Sequence, residues 1–192
     1  MARTPSVMIP LGTLLPSFRL KDTTGALRGP DDFPDAKAFL ILFICNHCPY
    51  VLHIQYGLVS FAKEYIPKGI GILAVNSNDP ERYPADSYEA MKREVRKAGY
   101  PFPYLYDETQ EVARQFQAAC TPDIYLFDGA RRLVYRGQFD GSRPGNDVPV
   151  TGEDLRAACD AVLEGREVSP QQRPSIGCNI KWKPGNEPPW FQ

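Results

Sequence analysis

The residues in this sequence best suited to chemistry are Cys45 and Cys48, separated by Asn46 and His47. Two thiols spaced in this way fall on the same side of a first helical turn, close enough to bridge with little backbone movement. The reactive form of cysteine is the thiolate, and an ordinary thiol, with a pKa of about 8.5, is mostly protonated at neutral pH. Something must therefore favour the anion. If Cys45 sits where a strand ends and a helix begins, the unpaired N–H groups and the positive end of the helix dipole do so, and Cys48 is the shielded partner. His47 adds a hydrogen bond or a positive charge beside the pair. A chance C-x-x-C and a zinc site, with His47 or His53 completing two thiolates, are the rival readings. Structural zinc takes four ligands, commonly from two paired motifs, and a second C-x-x-C is lacking, so no metal or cofactor is expected. Haem attachment needs His after the second cysteine, where Pro49 stands.

The surrounding pattern supplies the elements that would position this pair. Ala38 to Ile44 is an uninterrupted apolar run ending at Cys45, which predicts a buried central strand. From Pro49, the residues Val51, Leu52, Gln55, Leu58, Val59 and Phe61 recur at helical spacing until Pro67 and Gly69. Gly69 to Asn76 predicts a second buried strand, so strand, helix and strand form a parallel crossover. Asn78 to Pro84 is loop-like, and Asp86 or Ser87 could cap a helix that runs through Ala98 and stops at Gly99. A short strand at 102–105 and a helix over about 108–118 follow. Ile124–Phe127 and Leu133–Gly137 flank Asp128-Gly129, a hairpin signal that gives the sheet an antiparallel edge. Thr151 predicts the cap of a closing helix that ends at Gly165. Near the start, Phe18 and Leu20 precede Asp22-Thr23-Thr24-Gly25, the turn of an N-terminal β-hairpin.

The chain of 192 residues is read as a single domain, with a core over about 10–165 and an irregular tail over 166–192 lying on the surface. At 43% hydrophobic residues and a net charge of -1 it carries no broad electrostatic footprint for nucleic acid or anionic lipid. No apolar run approaches the length of a spanning helix, and Met1 to Pro10 lacks an apolar signal region, so the expected compartment is the cytoplasm. Five cysteines in a chain of this length fit thiols better than a disulfide scaffold.

These elements in this order resemble the thioredoxin-like superfamily, in the redoxin branch near alkyl hydroperoxide reductase and bacterial thiol-disulfide interchange proteins. Leu15-Pro16-Ser17-Phe18 with Asp22 and Gly25 is similar to the redoxin N-terminal hairpin, and Thr121-Pro122 before Ile124–Asp128 is similar to the cis-proline segment. Cys45 to Val51, with Pro174 to Trp182, resembles a group of bacterial thioredoxin-like proteins that carry this motif. The resemblance implies an α/β thioredoxin-like fold: a central mixed sheet flanked by helices. It also implies that Pro122 is cis and faces the dithiol, that its backbone edge pairs with an extended substrate, and that Thr121 contacts that substrate; Asn46, between the cysteines, is a further candidate substrate contact.

The function expected is thiol–disulfide oxidoreductase: Cys45 attacks, Cys48 resolves, and His47 raises the redox potential above that of a thioredoxin with Gly-Pro between its cysteines. Partners would be a protein or small-molecule thiol or disulfide and an electron donor. A peroxiredoxin carries P-x-x-x-[TS]-x-x-C. Aligning Cys45 with its cysteine puts Ala38 and Leu42 at the other positions, and aligning Cys48 puts Ile41 and Cys45 there. Thiol peroxidase is thus the runner-up, followed by a redox-sensing or binding module. Cys120, near Pro122, and Cys178, in the tail, are candidate accessory thiols, while Cys159 reads as core filler.

Overall fold

The computed structural model describes residues 3–191. Among these, the regular elements are β1 (Arg3–Pro5), β2 (Leu20–Asp22), β3 (Leu27–Arg28), β4 (Ala38–Phe43), α1 (Pro49–Tyr65), β5 (Ile70–Asn76), α2 (Tyr88–Ala98), β6 (Tyr104–Tyr106), α3 (Glu111–Gln115), β7 (Cys120–Thr121), β8 (Asp123–Asp128), β9 (Leu133–Arg136), α4 (Glu153–Leu163) and β10 (Ile176–Asn179). The larger sheet has the order β3-β2-β6-β5-β4-β8-β9. β4, β5 and β6 run parallel, whereas β2 on β6, β8 on β4 and β9 on β8 are antiparallel.

β4 explains why its segment is apolar throughout. Leu40 and Leu42 join the cluster under α1 and α4, while Phe39, Ile41 and Phe43 join an opposite cluster with Phe116 and Trp182. Alternate side chains of a strand point to opposite faces, so a strand covered on both faces must be apolar at every position. α1 starts with Pro49 at its first turn, where the missing N–H costs nothing, and buries Val51, Ile54, Leu58, Phe61, Ala62 and Tyr65. Burial of each large side chain contributes about 1.5–3 kcal/mol. Together these contacts fix the helix, and hence its N-terminus, against the end of β4.

Several local expectations shift. Ser87 caps α2, its Oγ accepting from Ala90 N, and Gly99 ends it at φ 70°. Asp86 is instead buried beneath the C-x-x-C loop. α3 is shorter than expected: Gln110 and Gln117 have φ 64° and 50°, and the buried Asp107 carboxylate accepts from the Val112 and Ala113 amides. The N-cap of α4 is Gly152 rather than Thr151. The Asp140 carboxylate accepts from both Thr151 N and Gly152 N, and Phe139 lies 2.5 Å from where a Cβ on Gly152 would stand. The Asp128-Gly129 turn extends to Arg131, with φ 61°, so the hairpin loop is longer than two residues.

The largest difference concerns residues 166–191. Outside β10 they are irregular, as expected, but β10 does not lie on the surface. It is the middle strand of a second sheet, β1-β10-β7, paired antiparallel to both neighbours. Cys178, Ile180 and Trp182 are buried. The pairing is non-local, and the apolar residues that it buries are too few and unevenly spaced to mark a strand by periodicity. No helix among the described residues is long and apolar enough to cross a membrane.

Candidate functional site

Four pieces of chain meet at the N-terminal end of α1: the C-x-x-C loop, the loop after β5, the turn between β7 and β8, and β10. Cys48 is the N-cap residue of α1, and Cys45 lies before it in the loop that leaves β4. The helix dipole therefore acts most directly on Cys48, with Cys45 three residues before the cap. The Thr121–Pro122 peptide is cis. Thr121 faces both thiols: its Oγ1 is 3.5 Å from Cys45 Sγ, and its carbonyl accepts from the Cys48 thiol at 3.1 Å. All five cysteines are buried and none is in a disulfide.

Geometry divides the proton between the two thiols. Hydrogen bonding from Cys45, then from Cys178 and Thr121, outweighs burial and pulls the Cys48 thiol down to about 5. Cys45 moves the other way: its proton is held by the hydrogen bond to Cys48, and burial and the Asp86 carboxylate disfavour its anion. On ionisation Cys48 ceases to donate to the Thr121 carbonyl and accepts from the neighbouring thiols instead.

His47 and Asn46 do not play the parts expected of them. His47 Nδ1 lies 2.7 Å from Asp86 Oδ2, and its ring stacks on Tyr83. Asp86 pushes the imidazole up from its ordinary value, against partial burial. Its Nδ1 is thus engaged by a carboxylate and not by a thiol. Asn46 is consumed by the protein: its N–H donates to Asp86 Oδ1, its Nδ2 donates to Ala85 O, and its Oδ1 accepts from Tyr104 OH. It holds the loop in place, with both polar atoms of its side chain engaged by the protein.

Asp86 is the residue that sequence reasoning missed. Burial would raise its carboxyl, but His47, Asn78 Nδ2 and Asn46 N–H outweigh that and hold it below the ordinary range. Asn78 in turn accepts from Lys181 N through Oδ1, so the network reaches the segment after β10. The polar run Asn76-Ser77-Asn78-Asp79, directly after an apolar strand, is the one sequence signal of this network. One ligand atom each from Cys45, His47 and Asp86 lies within 4.8 Å of the others, making them, among the described residues, a set that could hold a metal ion. His53, weighed as a zinc ligand from the sequence, instead meets Ser142 Oγ at 2.7 Å.

The remaining cysteines separate clearly. Cys178 pairs with Thr121 across β10 and β7; burial and its hydrogen bond to Cys48 push its thiol up to about 12. Cys120 lies on the same strand as Thr121, but its Sγ donates to Pro122 O and burial raises it well above its ordinary value. Cys159 is within α4, raised mainly by burial. The Thr121 edge that was expected to receive an extended substrate is therefore already paired, by the chain's own β10.

The similarities to known proteins agree with this architecture. An uncharacterized conserved protein from Geobacillus kaustophilus is 55% identical, with 96% of this chain and 98% of that chain covered and a TM-score of 0.94. A hypothetical protein from Sinorhizobium meliloti 1021 is 50% identical, with 95% and 100% covered and a TM-score of 0.94. At 18% identity, the thioredoxin domain of a thiol-disulfide oxidoreductase from Bacteroides vulgatus aligns over 77% of this chain and 97% of its own, with a TM-score of 0.59, which shows a thioredoxin-like fold. No curated protein matches the chain. The AhpC/TSA family matches residues 11–136, a span that runs from the N-terminal hairpin through the dithiol and the cis-proline turn to the end of β9, and the chain belongs to that family of redoxins.

Proposed function

We propose that the protein is a thiol–disulfide oxidoreductase working through Cys45 and Cys48. The observation that carries this reading is the setting of Cys48, at the N-cap of α1, against the Thr121 carbonyl and hydrogen-bonded by Cys45. The Cys48 thiolate attacks one sulfur of a substrate disulfide and expels the other as a thiolate. Cys45 then loses its proton and attacks the Cys48 sulfur, releasing the second substrate thiol and leaving a Cys45–Cys48 disulfide. An electron donor returns the pair to the dithiol. Cys48 takes the first attack because hydrogen bonding from Cys45 favours its anion, while the hydrogen bond to Cys48, burial and the Asp86 carboxylate disfavour that of Cys45; this reverses the order suggested by the sequence. A stabilised thiolate favours the reduced form, so the disulfide is more oxidising than that of thioredoxin, with the donors to Cys48 rather than His47 as the cause. The compartment proposed for it is the cytoplasm.

Reduction of insulin by the wild type, lost in Cys48→Ser and in Cys45→Ser, is the expected result. Thiol peroxidase is the second reading, favoured by the AhpC/TSA match together with the lowered Cys48. Peroxide consumption that survives Cys45→Ser but not Cys48→Ser, with insulin left intact, would replace the first reading by the second. Absence of both activities, with a reversible redox change in hydrogen exchange over 166–191, would point to a sensor.

A further inference from the structure

We propose that β10 is a built-in occupant of the strand-pairing edge beside Pro122, and that its Cys178 is a third redox thiol, exchanging into a disulfide with Cys48. The inference rests on the dithiol reading above. It starts from Thr121, which brings three sulfurs to one residue. Its Oγ1 contacts Cys45, its carbonyl contacts Cys48, and its backbone pairs with Cys178. An extended peptide carrying a cysteine would lie along the same edge to present its sulfur to the dithiol.

The close approach is built for. A Cβ on Gly177 would stand 1.9 Å from Thr121 O and 2.6 Å from its carbonyl carbon, so only glycine lets β10 lie this near the loop. Both ends of the strand are anchored. Ser175 Oγ donates to Gly137 O, Ile180 N donates to Ala119 O, and Lys181 N donates to Asn78 Oδ1. On its outer side β1 pairs Arg3 with Cys178, and Arg3 Nε donates to Tyr50 OH in the first turn of α1. Cys178 is therefore held at the head of the helix. Cys45, Cys48 and Cys178 are exposed by only 2%, 0% and 2%, so an external disulfide reaches them only as the site opens, whereas the Cys178 thiol already lies within hydrogen-bond reach of Cys48.

The step conserves one disulfide. Starting from Cys45–Cys48, the Cys178 sulfur forms a bond to the Cys48 sulfur as the Cys45–Cys48 bond breaks. The electron pair leaves on the Cys45 sulfur, which takes up the proton lost by Cys178. No further oxidant or reductant enters. The exchange leaves β10 covalently tied over the edge and Cys45 as a thiol. Reversal frees the strand and restores the dithiol pair as the disulfide.

The test uses the full chain, oxidised with one equivalent of diamide, alkylated under denaturing conditions, digested without reductant and mapped by mass spectrometry. Wild type is expected to yield both Cys45–Cys48 and Cys48–Cys178 linked peptides. In Cys45→Ser the Cys48–Cys178 link should replace both, with loss of alkylated Cys178. Cys178 fully alkylated in Cys45→Ser, or Cys48 linked only between chains, overturns the exchange. If the wild type still forms Cys45–Cys48 and reduces insulin in that event, the dithiol reading stands alone. No Cys45–Cys48 link in the wild type, and no insulin reduction, removes both. Gly177→Ala, which keeps every thiol, should lose the Cys48–Cys178 link and speed iodoacetamide alkylation of Cys48; no change in either would overturn the role of the strand. The Cys45→Ser map remains decisive if Gly177→Ala does not fold.

Discussion

The head of α1 and the interior of α4 bury a cysteine equally completely, Cys48 and Cys159 both being 0% exposed, yet the two thiols are driven in opposite directions. Cys159 meets apolar neighbours, and desolvation raises its pKa far above the ordinary thiol. Cys48 meets the same penalty but is surrounded by donors, chiefly Cys45, and ends near 5. Burial alone makes a thiol inert, and donors within a buried site make it a nucleophile. The difference lies in what each helix offers. α4 contributes a closed, satisfied turn, whereas α1 contributes its N-cap and faces the polar Thr121.

The sharpest way to break this comparison is to remove the two thiols in turn. Cys48→Ser is expected to lower insulin reduction by several orders of magnitude, because the proposed attacking group is gone. Cys159→Ala should leave the rate unchanged and cost about 1 kcal/mol in chemical denaturation, for a small cavity. Next in size is the titration itself. Thiolate absorbance near 240 nm in the reduced protein should show one group ionising near 5, absent in Cys48→Ser. Cys45→Ala deletes the principal donor and should raise that midpoint by at least about one unit, roughly 1.4 kcal/mol.

The same shift dictates a pH dependence. The folded pKa of Cys48 lies below its unfolded value, so its contribution to the stability of the reduced state is full above about 9 and is lost as the pH falls through about 5. The oxidised protein has no such term. Reduced minus oxidised stability, from denaturation at a series of pH values, should therefore grow between these limits.

Asp86→Asn has a smaller expected effect, about 2 kcal/mol for a lost charge-assisted contact. His47 is raised and Asp86 lowered, so their pair stabilises the fold between the two folded-state pKa values. That contribution disappears as acid protonates Asp86 and as rising pH deprotonates His47. The variant should show a flatter stability profile at both limits, with the His47 resonance in NMR titration moving down towards its ordinary value. Smallest is Ser87→Ala, which removes the cap of α2 for about 1 kcal/mol and should not alter the rate.

Much of the central fold was legible in the chain because its signals are local. The apolar run of β4, the spacing of α1 with Pro49 at its start, the Gly99 stop and the Asp22–Gly25 turn each act within a few residues. α3 and the α4 cap were misjudged because Asp107 and Asp140 reach those helix starts from outside and set where they begin. The candidate site divides in the same manner. Cys45, Cys48 and the Thr121-Pro122 turn could be nominated from motif and resemblance, whereas Asp86 looked like a helix cap and Asn46 like a substrate contact.

By itself the sequence determined that two thiols stand at a strand-to-helix junction, since hydrophobic periodicity and proline position decide that locally. Which thiol carries the charge was left to the tertiary structure, because the answer depends on Asp86 near one sulfur and on donors near the other. So was the place of Cys178. Its strand pairs with residues more than fifty positions away, and a pairing of that range follows from packing and from the bare Cα of Gly177, not from any pattern within the segment.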